Sequence, residues 1–433
     1  MEKIETSAAV EELSNEIQEL LLNLPTEKNW DGTSLYQYQG CWNRSQYVSS
    51  TISFQRHFQA KESDIILTSI PKSGTTWLKA LAFTIANRSR YPIENSPLIT
   101  TPPHLLVPFL EVDLYTKIQS PNLEDFPNPR ILATHVPYAS LPNSILNSDC
   151  RIVYVARNPL DQFISHWNFL SGSQQQNMNL VSVEEAFEMI CNGVQTYGPV
   201  WEHILGYWKA SQEQPHKVLF LKYEDMKEDI QFNVKSLANF FGCPFTEDEE
   251  AQGVIEEISK FCSFDNMKNL EVNKHGTYRS FKNEAFFRKG TMGDWRNYLK
   301  PSMAERMEKI LEEKFSGSGT TWLKALTFTT VNRCRWALQN SPLLTTPPHE
   351  LIPFLELELD LDLKNHSPNL EDLPTPRILA THTPCSSLIT LILSSNCRIV
   401  YICRNPLDQF ASRWKLFVDF ATQRFHMIKL LTT

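Results

Sequence analysis

The stretch IILTSIPKSGTTWLKAL, residues 65–81, decides the fold because it combines a strand, a tight turn and a helix. Its first apolar residues are typical of a parallel strand that is covered on both faces, and we expect that strand to span 65–70. A proline and a glycine then mark the turn, and a helix with an apolar stripe begins at Thr75. The stretch predicts one strand–turn–helix unit of an α/β protein.

The turn itself, Lys72-Ser73-Gly74-Thr75-Thr76, has the composition of an anion-binding loop. Glycine lets the backbone approach a bound group closely, and the amide N–H groups at the start of a helix point outward. The lysine and the hydroxyl groups add charge and donors. Phosphate is the most common ligand of such a loop. The alternative is an ordinary helix N-terminus capped by serine or threonine.

The loop is not a Walker A motif, G-x-x-x-x-G-K-[ST], because Lys72 precedes Gly74 and no glycine stands at the required upstream position. A nucleoside triphosphatase also needs an aspartate after another strand to hold magnesium. The strand RIVYVAR, residues 151–157, is instead followed by Asn158. The sequence therefore favours a phosphorylated ligand that is held without a metal.

Composition and charge limit the classes of function. The 433 residues suit two domains, or one domain and part of a second, and 42% hydrophobic residues are ample for a core. A net charge of −8 disfavours nucleic acid or an anionic membrane as the main partner. The sequence has no run of 18 apolar residues, its acidic N-terminal stretch is not expected to act as a secretory signal, and its nine cysteines form no C-x-x-C pair. These features predict a cytoplasmic protein with reduced thiols.

A second polar strand end lies in RILATHVPYASLP, residues 130–142, where a short strand ends in Thr134-His135. In an open α/β sheet, ligands bind at the carboxyl ends of the strands. Histidine titrates near neutrality and therefore suits a general base. An ordinary structural histidine with satisfied hydrogen bonds is the alternative at this position.

The segment CRIVYVARNPLDQFISHW, residues 150–167, repeats the strand–turn–helix pattern. It places Arg157 at the end of the strand and Ser165 about two turns into the helix. An arginine and a hydroxyl group in these positions can clamp a second phosphate. The alternative is an ion pair between Arg157 and Asp161.

The remaining elements complete an α/β pattern with a central parallel sheet flanked by helices. KVLFLKYEDM, residues 217–226, predicts a fourth strand. Arg288-Lys289-Gly290 is a second anion-binding candidate, with a solvated basic loop as the alternative. Residues 25–62 are rich in tryptophan and tyrosine, and either line an aromatic acceptor pocket or pack as an N-terminal arm. Helices are expected at 10–24, 183–191, 199–211, 228–241, 246–261 and 302–315.

The end of the chain partly repeats what precedes it. SGSGTTWLKAL, residues 316–326, matches the first anion loop, but Gly317 replaces the lysine. The copy ends before any equivalent of the fourth strand or of the Arg-Lys-Gly triplet. We therefore predict a complete domain at 1–315, followed at 316–433 by a partial, inactive repeat of residues 72–170.

Four motifs in the same order resemble the cytosolic sulfotransferases, most closely their plant branch. They are PKSGTTW (71–77), ATHVPY (133–138), RIVYVARNPLDQFISHW (151–167) and RKGTMGDW (288–295). The resemblance covers residues 1–315 nearly end to end and 316–433 as a partial copy. It implies the P-loop-like sulfotransferase fold and transfer of a sulfonate from 3′-phosphoadenosine 5′-phosphosulfate (PAPS) to a small hydroxylated acceptor, without a metal. Flavonoids, hydroxyjasmonates, brassinosteroids and desulfoglucosinolates are the acceptor classes that it suggests.

The resemblance also implies roles for individual residues. The loop from Lys72 to Trp77 matches the part that holds the 5′-phosphosulfate, with Lys72 supporting the leaving phosphate oxygen. His135 matches the catalytic base, and Arg157 and Ser165 match one half of the clamp on the 3′-phosphate. The other expected nucleotide contacts are Trp77 against the adenine, Tyr223, Ser263, Phe264, Arg288, Lys289 and Gly290.

Two other functions are alternatives to the predicted sulfotransferase activity. One is an inactive nucleotide-binding protein whose C-terminal partial copy has a regulatory or interaction role. The other is a P-loop kinase, which the missing Walker pattern disfavours. The oligomeric state is left open, because RNYLKPSMAERMEK, residues 296–309, lacks the Lys-x-x-x-Thr-Val-x-x-x-Glu dimer motif of animal members.

Overall fold

The structure is a computed structural model that describes residues 7–116, 118–172 and 180–316. Within these ranges the strands are β1 (Thr26–Lys28), β2 (Ser34–Tyr38), β3 (Cys41–Asn43), β4 (Ile65–Thr68), β5 (Ile131–Thr134), β6 (Arg151–Ala156), β7 (Val218–Lys222), β8 (Thr277–Tyr278) and β9 (Phe281–Lys282). The predicted partial repeat lies outside the described residues from residue 317 onward.

The helices connect and cover the strands. The α-helices are α1 (Ser7–Asn23), α2 (Ser45–His57), α3 (Thr75–Asn87), α4 (Pro103–Leu106), α5 (Asn143–Asn147), α6 (Pro159–Ser171), α7 (Val183–Cys191), α8 (Val200–Glu213), α9 (Tyr223–Glu228), α10 (Ile230–Phe240), α11 (Glu247–Ala251), α12 (Val254–Phe261), α13 (Phe264–Asn269), α14 (Glu271–Lys274) and α15 (Pro301–Lys314). Short 3₁₀ turns lie at Ile93–Asn95, Pro97–Ile99, Tyr138–Ser140, Asn283–Phe286 and Asp294–Asn297, and a π-helical turn lies at Leu110–Leu114.

The centre of the fold is a four-stranded sheet in the order β5-β4-β6-β7, and all three strand pairs are parallel. Every residue of β4 is buried, because helices cover both faces of a parallel sheet. Thr68, at the end of β4, is in register with Thr134 on one side and Tyr154 on the other. The predicted α/β fold with a central parallel sheet is confirmed.

This register brings the carboxyl ends of the strands to one edge of the sheet. His135 directly follows β5, and Arg157 directly follows β6. β7 ends at Lys222, so that Tyr223 opens α9 instead of continuing the strand to 226 as the sequence suggested. Candidate site residues from three strands therefore meet at a single edge.

The predicted helix at 246–261 is two helices in the structure. Gly253 adopts a left-handed backbone conformation, with φ +77°, and separates α11 from α12. A hydrophobic pattern does not reveal such a break, because the acidic residues of α11 and the apolar stripe of α12 are both compatible with one continuous helix. In the described part of the chain, no helix combines the length and the apolar character that crossing a membrane would require.

Candidate active site

A cleft lies over the carboxyl edge of the sheet and encloses about 1060 Å³ of empty space, part of it open to solvent. It brings together nearly all the residues that the sequence suggested for the site. Those that line it are Lys72, Gly74, Thr75, Thr76, Trp77, His135, Arg157, Ser165, Tyr223, Phe264, Arg288, Lys289 and Gly290.

Two predicted site residues do not line the cleft. The side chain of Ser73 is buried, and its backbone N–H donates to the carbonyl of Ile70 at 3.3 Å. Ser263 is the N-cap of α13, where its hydroxyl oxygen accepts from the N–H of Asn266 at 3.3 Å. Both serines stabilise the backbone conformation beside the cleft, while residues next to them in the chain, such as Lys72, Gly74 and Phe264, line it.

The anion loop between β4 and α3 has a conformation that requires its glycine. Gly74 has φ +108°, and a Cβ atom at this position would lie 2.8 Å from the ring of Tyr223. The hydroxyl groups of Thr75 and Ser69 lie 2.5 Å apart, which ties the first turn of α3 back to the end of β4. The loop is therefore tied to the edge of the sheet, and its last two residues, Thr75 and Thr76, supply the first amide groups of α3.

Lys72 carries its ammonium group into an aromatic environment. Nζ lies 4.0 Å from the ring centroid of Phe169 and 5.3 Å from that of Phe286. It also donates a long hydrogen bond, 3.4 Å, to the carbonyl of Ala285. Burial, together with the positive charges of Arg157 and Arg288, lowers the pKa of Lys72 to about 7. A bound anion would restore the charged form.

The hydrogen bonds of His135 determine its tautomer. Nδ1 lies 2.6 Å from the backbone carbonyl of Ser69, which can only accept, so that Nδ1 carries the proton. The lone pair is then on Nε2, and the side chain lines the cleft. Burial and the nearby Lys79 lower the pKa of His135 to about 3, which keeps the imidazole neutral.

Buried polar side chains form hydrogen bonds to the backbone of His135. His203 donates from Nε2 to the carbonyl of His135 at 2.8 Å, and its Nδ1 accepts from the hydroxyl of Tyr154 at 3.0 Å. The carboxylate of Glu111 accepts from the N–H of His135 at 2.8 Å and from the hydroxyl of Thr134 at 2.7 Å. These bonds fix the backbone on which the imidazole is carried.

Arg157 does not form the ion pair with Asp161 that was its alternative assignment. Its guanidinium donates to the carbonyl of Lys72 at 3.3 Å and to that of Thr291 at 2.9 Å, and its Nε is buried without a hydrogen-bond partner. The carboxylate of Asp161 instead accepts from the backbone N–H of Gly293 at 2.6 Å. Asp161 thereby joins α6 to the loop that carries the Arg-Lys-Gly triplet.

That loop supplies two further cations at the cleft. Arg288 donates to Asp294 at 2.6 Å, and Lys289 donates to the same carboxylate at 2.8 Å. Gly290 has φ +64°, and a Cβ atom there would lie 2.5 Å from the ring of Phe264. The glycine is needed because that ring packs directly on the backbone. The triplet therefore packs against the protein through Gly290 and Arg288, while the side chain of Lys289 stays 46% exposed and is held by Asp294.

The chain matches a known protein family over most of its length. A family model described as the sulfotransferase domain matches residues 62–318 and, a second time, residues 315–427. This chain belongs to the sulfotransferase family. The two matches together extend over most of the chain.

Individual sulfotransferases give the same picture. Cytosolic sulfotransferase 15 of Arabidopsis thaliana is 47% identical over 317 residues, which are 72% of this chain and 88% of that protein. Cytosolic sulfotransferase 5 of the same plant is 42% identical over 320 residues, covering 73% of this chain and 99% of that protein.

Solved sulfotransferase structures share the fold. An Arabidopsis thaliana sulphotransferase superimposes with a TM-score of 0.58 at 40% identity, covering 71% of this chain and 96% of the other. Mouse sulfotransferase SULT7A1, crystallised with PAP, superimposes with a TM-score of 0.53 at 26% identity, covering 68% of this chain and 99% of the other.

Sequence reasoning missed several residues of this sulfotransferase cleft. His104, Phe109, Phe169 and Phe286 line it but belong to no sequence motif that we recognised. Lys79 is fully buried one turn beyond the anion loop, and its position within an apolar helical stripe was the signal that could have revealed it. A charged residue at a core position of a helix is rare and calls for an explanation.

The aromatic residues of 25–62 belong to the scaffold and do not line this cleft. β1, β2 and β3 form an antiparallel sheet, and Trp30 and Phe54 are fully buried. One residue of the segment approaches the site indirectly, since Tyr47 stacks on Tyr197 at 6.0 Å, and Tyr197 lies 5.2 Å from the ring of His135. The structure therefore favours packing as the role of this arm.

Proposed function

We propose that the protein transfers the sulfonate group of PAPS to a hydroxyl group of a small acceptor. The observation that supports this most strongly is the convergence on one cleft of the anion loop, the neutral His135 and the cations of two separate loops. Membership of the sulfotransferase family and the PAP complex of the mouse relative agree with this proposal.

The residues of the cleft fit a ligand with two separate phosphate groups. Arg157 and Arg288 both keep a buried Nε without a partner, and the Nε1 of Trp77 is also unpaired. Polar atoms that are buried without partners are destabilising unless a ligand satisfies them. In our assignment the loop from Lys72 to Thr76 holds the 5′-phosphosulfate. Arg157, Ser165, Arg288 and Lys289 hold the 3′-phosphate, while Trp77, Tyr223 and Phe264 contact the nucleoside.

PAPS supplies an activated sulfonate group when it is bound, and the proposal includes no metal. His135 accepts the proton of the acceptor hydroxyl at Nε2, the nitrogen that its bond to Ser69 leaves unprotonated. The Nδ1–H bond to the carbonyl holds the ring in this orientation throughout. Because the pKa of His135 is so low, its imidazole accepts the proton only while the acceptor oxygen forms its bond to sulfur. The position of Nε2 beside the hydroxyl group therefore matters more than the basicity of the ring.

Lys72 supplies positive charge on the opposite side of the reaction. Its Nζ lies against Phe169 and Phe286, and these apolar rings limit the access of water to the charge. Electrostatic stabilisation is stronger in such a low-dielectric environment than in water. The ammonium group is therefore well placed to neutralise the charge that develops on the leaving phosphate.

The acceptor is proposed only as a small hydroxylated molecule. The ring of Phe109 lies 4.4 Å from that of His135, so that an apolar acceptor body can pack beside the reactive hydroxyl. Turnover of labelled PAPS by the full chain with flavonoids, hydroxyjasmonates, brassinosteroids and desulfoglucosinolates would identify the class. We propose a cytoplasmic location, in keeping with the names of the Arabidopsis relatives.

The same assay separates the enzyme from its main alternative. An inactive nucleotide-binding protein would bind 3′-phosphoadenosine 5′-phosphate (PAP) and show no sulfonate transfer with any acceptor class. A kinase would transfer phosphate from ATP in the presence of magnesium. Transfer of label from PAPS to an acceptor would support the proposal, and PAP binding without transfer to any of these acceptors would contradict it.

The affinity for PAP should fall as the pH rises above 7. Lys72 has a pKa of about 7 in the ligand-free protein, so that binding of an anion above this pH requires the uptake of a proton. We expect Lys72 to raise the Kd by about fivefold between pH 7 and pH 9, because its charge adds about tenfold to PAP affinity and half of that charge is already lost at pH 7. Isothermal titration calorimetry over this range measures the slope.

Lys72→Arg is the matched control for this measurement, because arginine stays charged throughout the range. Its Kd should lose the share of the pH dependence that Lys72 causes. The phosphate groups of PAP have a second pKa of about 6, so that they are almost fully ionised above pH 7 and add the same small slope to both proteins. Equal slopes for the two proteins would refute the assignment to Lys72.

We propose that residues 316–433 are a partial, inactive copy, and the second match of the family model supports this. A protein that ends after Phe315 should retain kcat and PAP affinity within about twofold of the full chain, because the described cleft residues all precede this point. Steady-state kinetics and calorimetry on the two proteins test it. A loss above about tenfold in a truncated protein with a normal circular dichroism spectrum would show that the copy contributes to the site.

A further inference from the structure

A buried lysine lies directly below the anion loop. The side chain of Lys79, on α3, is 0% exposed and forms no ion pair with a carboxylate among the described residues. Its Nζ lies 3.2 Å from Nδ1 of His104 and 3.2 Å from the ring centroid of Phe109. Burying an amine with so few partners is destabilising, and a residue that is retained at such a cost suggests a functional role.

His104 extends this contact to the loop. Its Nε2 lies 3.1 Å from the hydroxyl oxygen of Thr76, and both residues line the cleft. The imidazole is held among aromatic rings, with centroids 4.9 Å from Tyr278 and 4.4 Å from Phe286. A chain of hydrogen bonds therefore runs from Lys79 in the core, through a fixed imidazole, to the side chain of Thr76.

The charge on Lys79 determines the direction of these hydrogen bonds. An ammonium group has only donors, so that Nδ1 of His104 must accept and its proton must be on Nε2. Nε2 then donates to the hydroxyl oxygen of Thr76, and the proton of that hydroxyl is left to donate elsewhere. In the reverse direction Nδ1 of His104 donates to Lys79, which requires a neutral amine. Nε2 then accepts the hydroxyl proton of Thr76, so that this proton can no longer be donated to a ligand.

We propose that Lys79 and His104 are positioning residues that turn the hydroxyl proton of Thr76 toward an anion bound in the cleft. This inference depends on the proposed function, because it takes the bound anion to be the 5′-phosphate group of PAPS or PAP. Lys79 and His104 contact no part of the reacting groups in this scheme and act only through Thr76.

The charges around Lys79 agree with this role. Burial lowers its pKa to about 7, while the carboxylates of Asp113 and Glu111 oppose that effect. Asp113 accepts from Tyr278 at 2.6 Å, and Glu111 accepts from Thr134 at 2.7 Å, so that both carboxylates have other partners. An anion in the cleft would favour the ammonium form, and thereby the direction in which Thr76 donates to it.

A double-mutant cycle on PAP binding tests the inference without an activity assay. Lys79→Met and Thr76→Val should each weaken PAP binding by about tenfold, since each removes the same hydrogen bond to a charged group. The double variant should bind no more than about twofold worse than Thr76→Val alone. Thr76→Ser keeps the hydroxyl, so that Lys79→Met should still cost about tenfold in that background.

Each result of this cycle has a definite meaning. A double variant that is about a hundredfold weaker than wild type would show independent effects and overturn the inference. Thermal unfolding is measured for each protein, and if Lys79→Met does not fold, His104→Phe keeps the aromatic shape and replaces it in the cycle. If wild type itself fails to bind PAP, the proposed function is wrong, whereas an additive cycle in a protein that binds PAP rejects only the positioning role.

Discussion

Replacing His135 by alanine should lower kcat by about a thousandfold and leave the Kd for PAP within about twofold. The reason is that Nε2 is the unprotonated nitrogen at the cleft, while the contacts assigned to the nucleotide come from other residues. Steady-state kinetics with a saturating acceptor, together with calorimetry, measures both quantities.

Two further variants separate the loss of a base from the loss of structure. In His135→Asn the side-chain amide stands at the position of Nδ1 and keeps the donor for the carbonyl of Ser69, but nothing replaces Nε2. We expect it to be as inactive as the alanine variant and more stable. His275→Ala, at a side chain that is 77% exposed, is the matched surface control and should be fully active. Near-normal kcat in His135→Ala would rule out the proposed mechanism.

Replacing Lys72 by methionine should lower kcat by about 10²- to 10³-fold, with a smaller effect on the Kd for PAP. Methionine has a similar length and packs well against aromatic rings, so that Phe169 and Phe286 keep their neighbour while the charge is lost. The loss falls mainly on turnover because the positive charge is needed most where negative charge develops in the transition state. Single-turnover kinetics with PAPS isolates the transfer step.

Arg157→Met should instead affect the Kd for PAP more than kcat. Its guanidinium lies between the carbonyls of Lys72 and Thr291, at the junction of the two anion-binding loops. We expect the Kd for PAP to rise by about 10- to 100-fold, as loss of a charged hydrogen-bonding group implies, with only a small change in kcat at saturation. If Lys72→Met weakened PAP binding as much as Arg157→Met and left kcat unchanged, Lys72 would be a binding residue only.

The local sequence was sufficient to predict the strand–turn–helix unit around the anion loop. An apolar run, a glycine at the turn and a helical stripe all lie within 65–81, and each depends on residues close together in the chain. The element ends were less predictable, because β7 ends at Lys222 and Gly253 interrupts a continuous helical pattern. Such ends depend on backbone conformations that hydrophobic periodicity does not report.

The role of His135 shows why sequence alone left two alternatives. A base and a structural histidine have the same residue type at the same strand end. The proposal that His135 is the base rests on the bond from Nδ1 to Ser69, which leaves Nε2 unprotonated at the cleft, and this bond joins residues that are 66 positions apart. The same reasoning applies to Arg157, because one of its partners, the carbonyl of Thr291, lies 134 positions further along the chain.

Residue type and order along the chain were enough to specify a parallel α/β sheet, an anion loop with its lysine and glycine, and a histidine and an arginine at strand ends. Folding decided which side chains meet, how deeply they are buried and therefore how they are charged. The lowered pKa of Lys72, the tautomer of His135 and the path from Lys79 through His104 to Thr76 all arise in this way. They depend on desolvation and on contacts between distant segments, and neither property is local to any stretch of sequence.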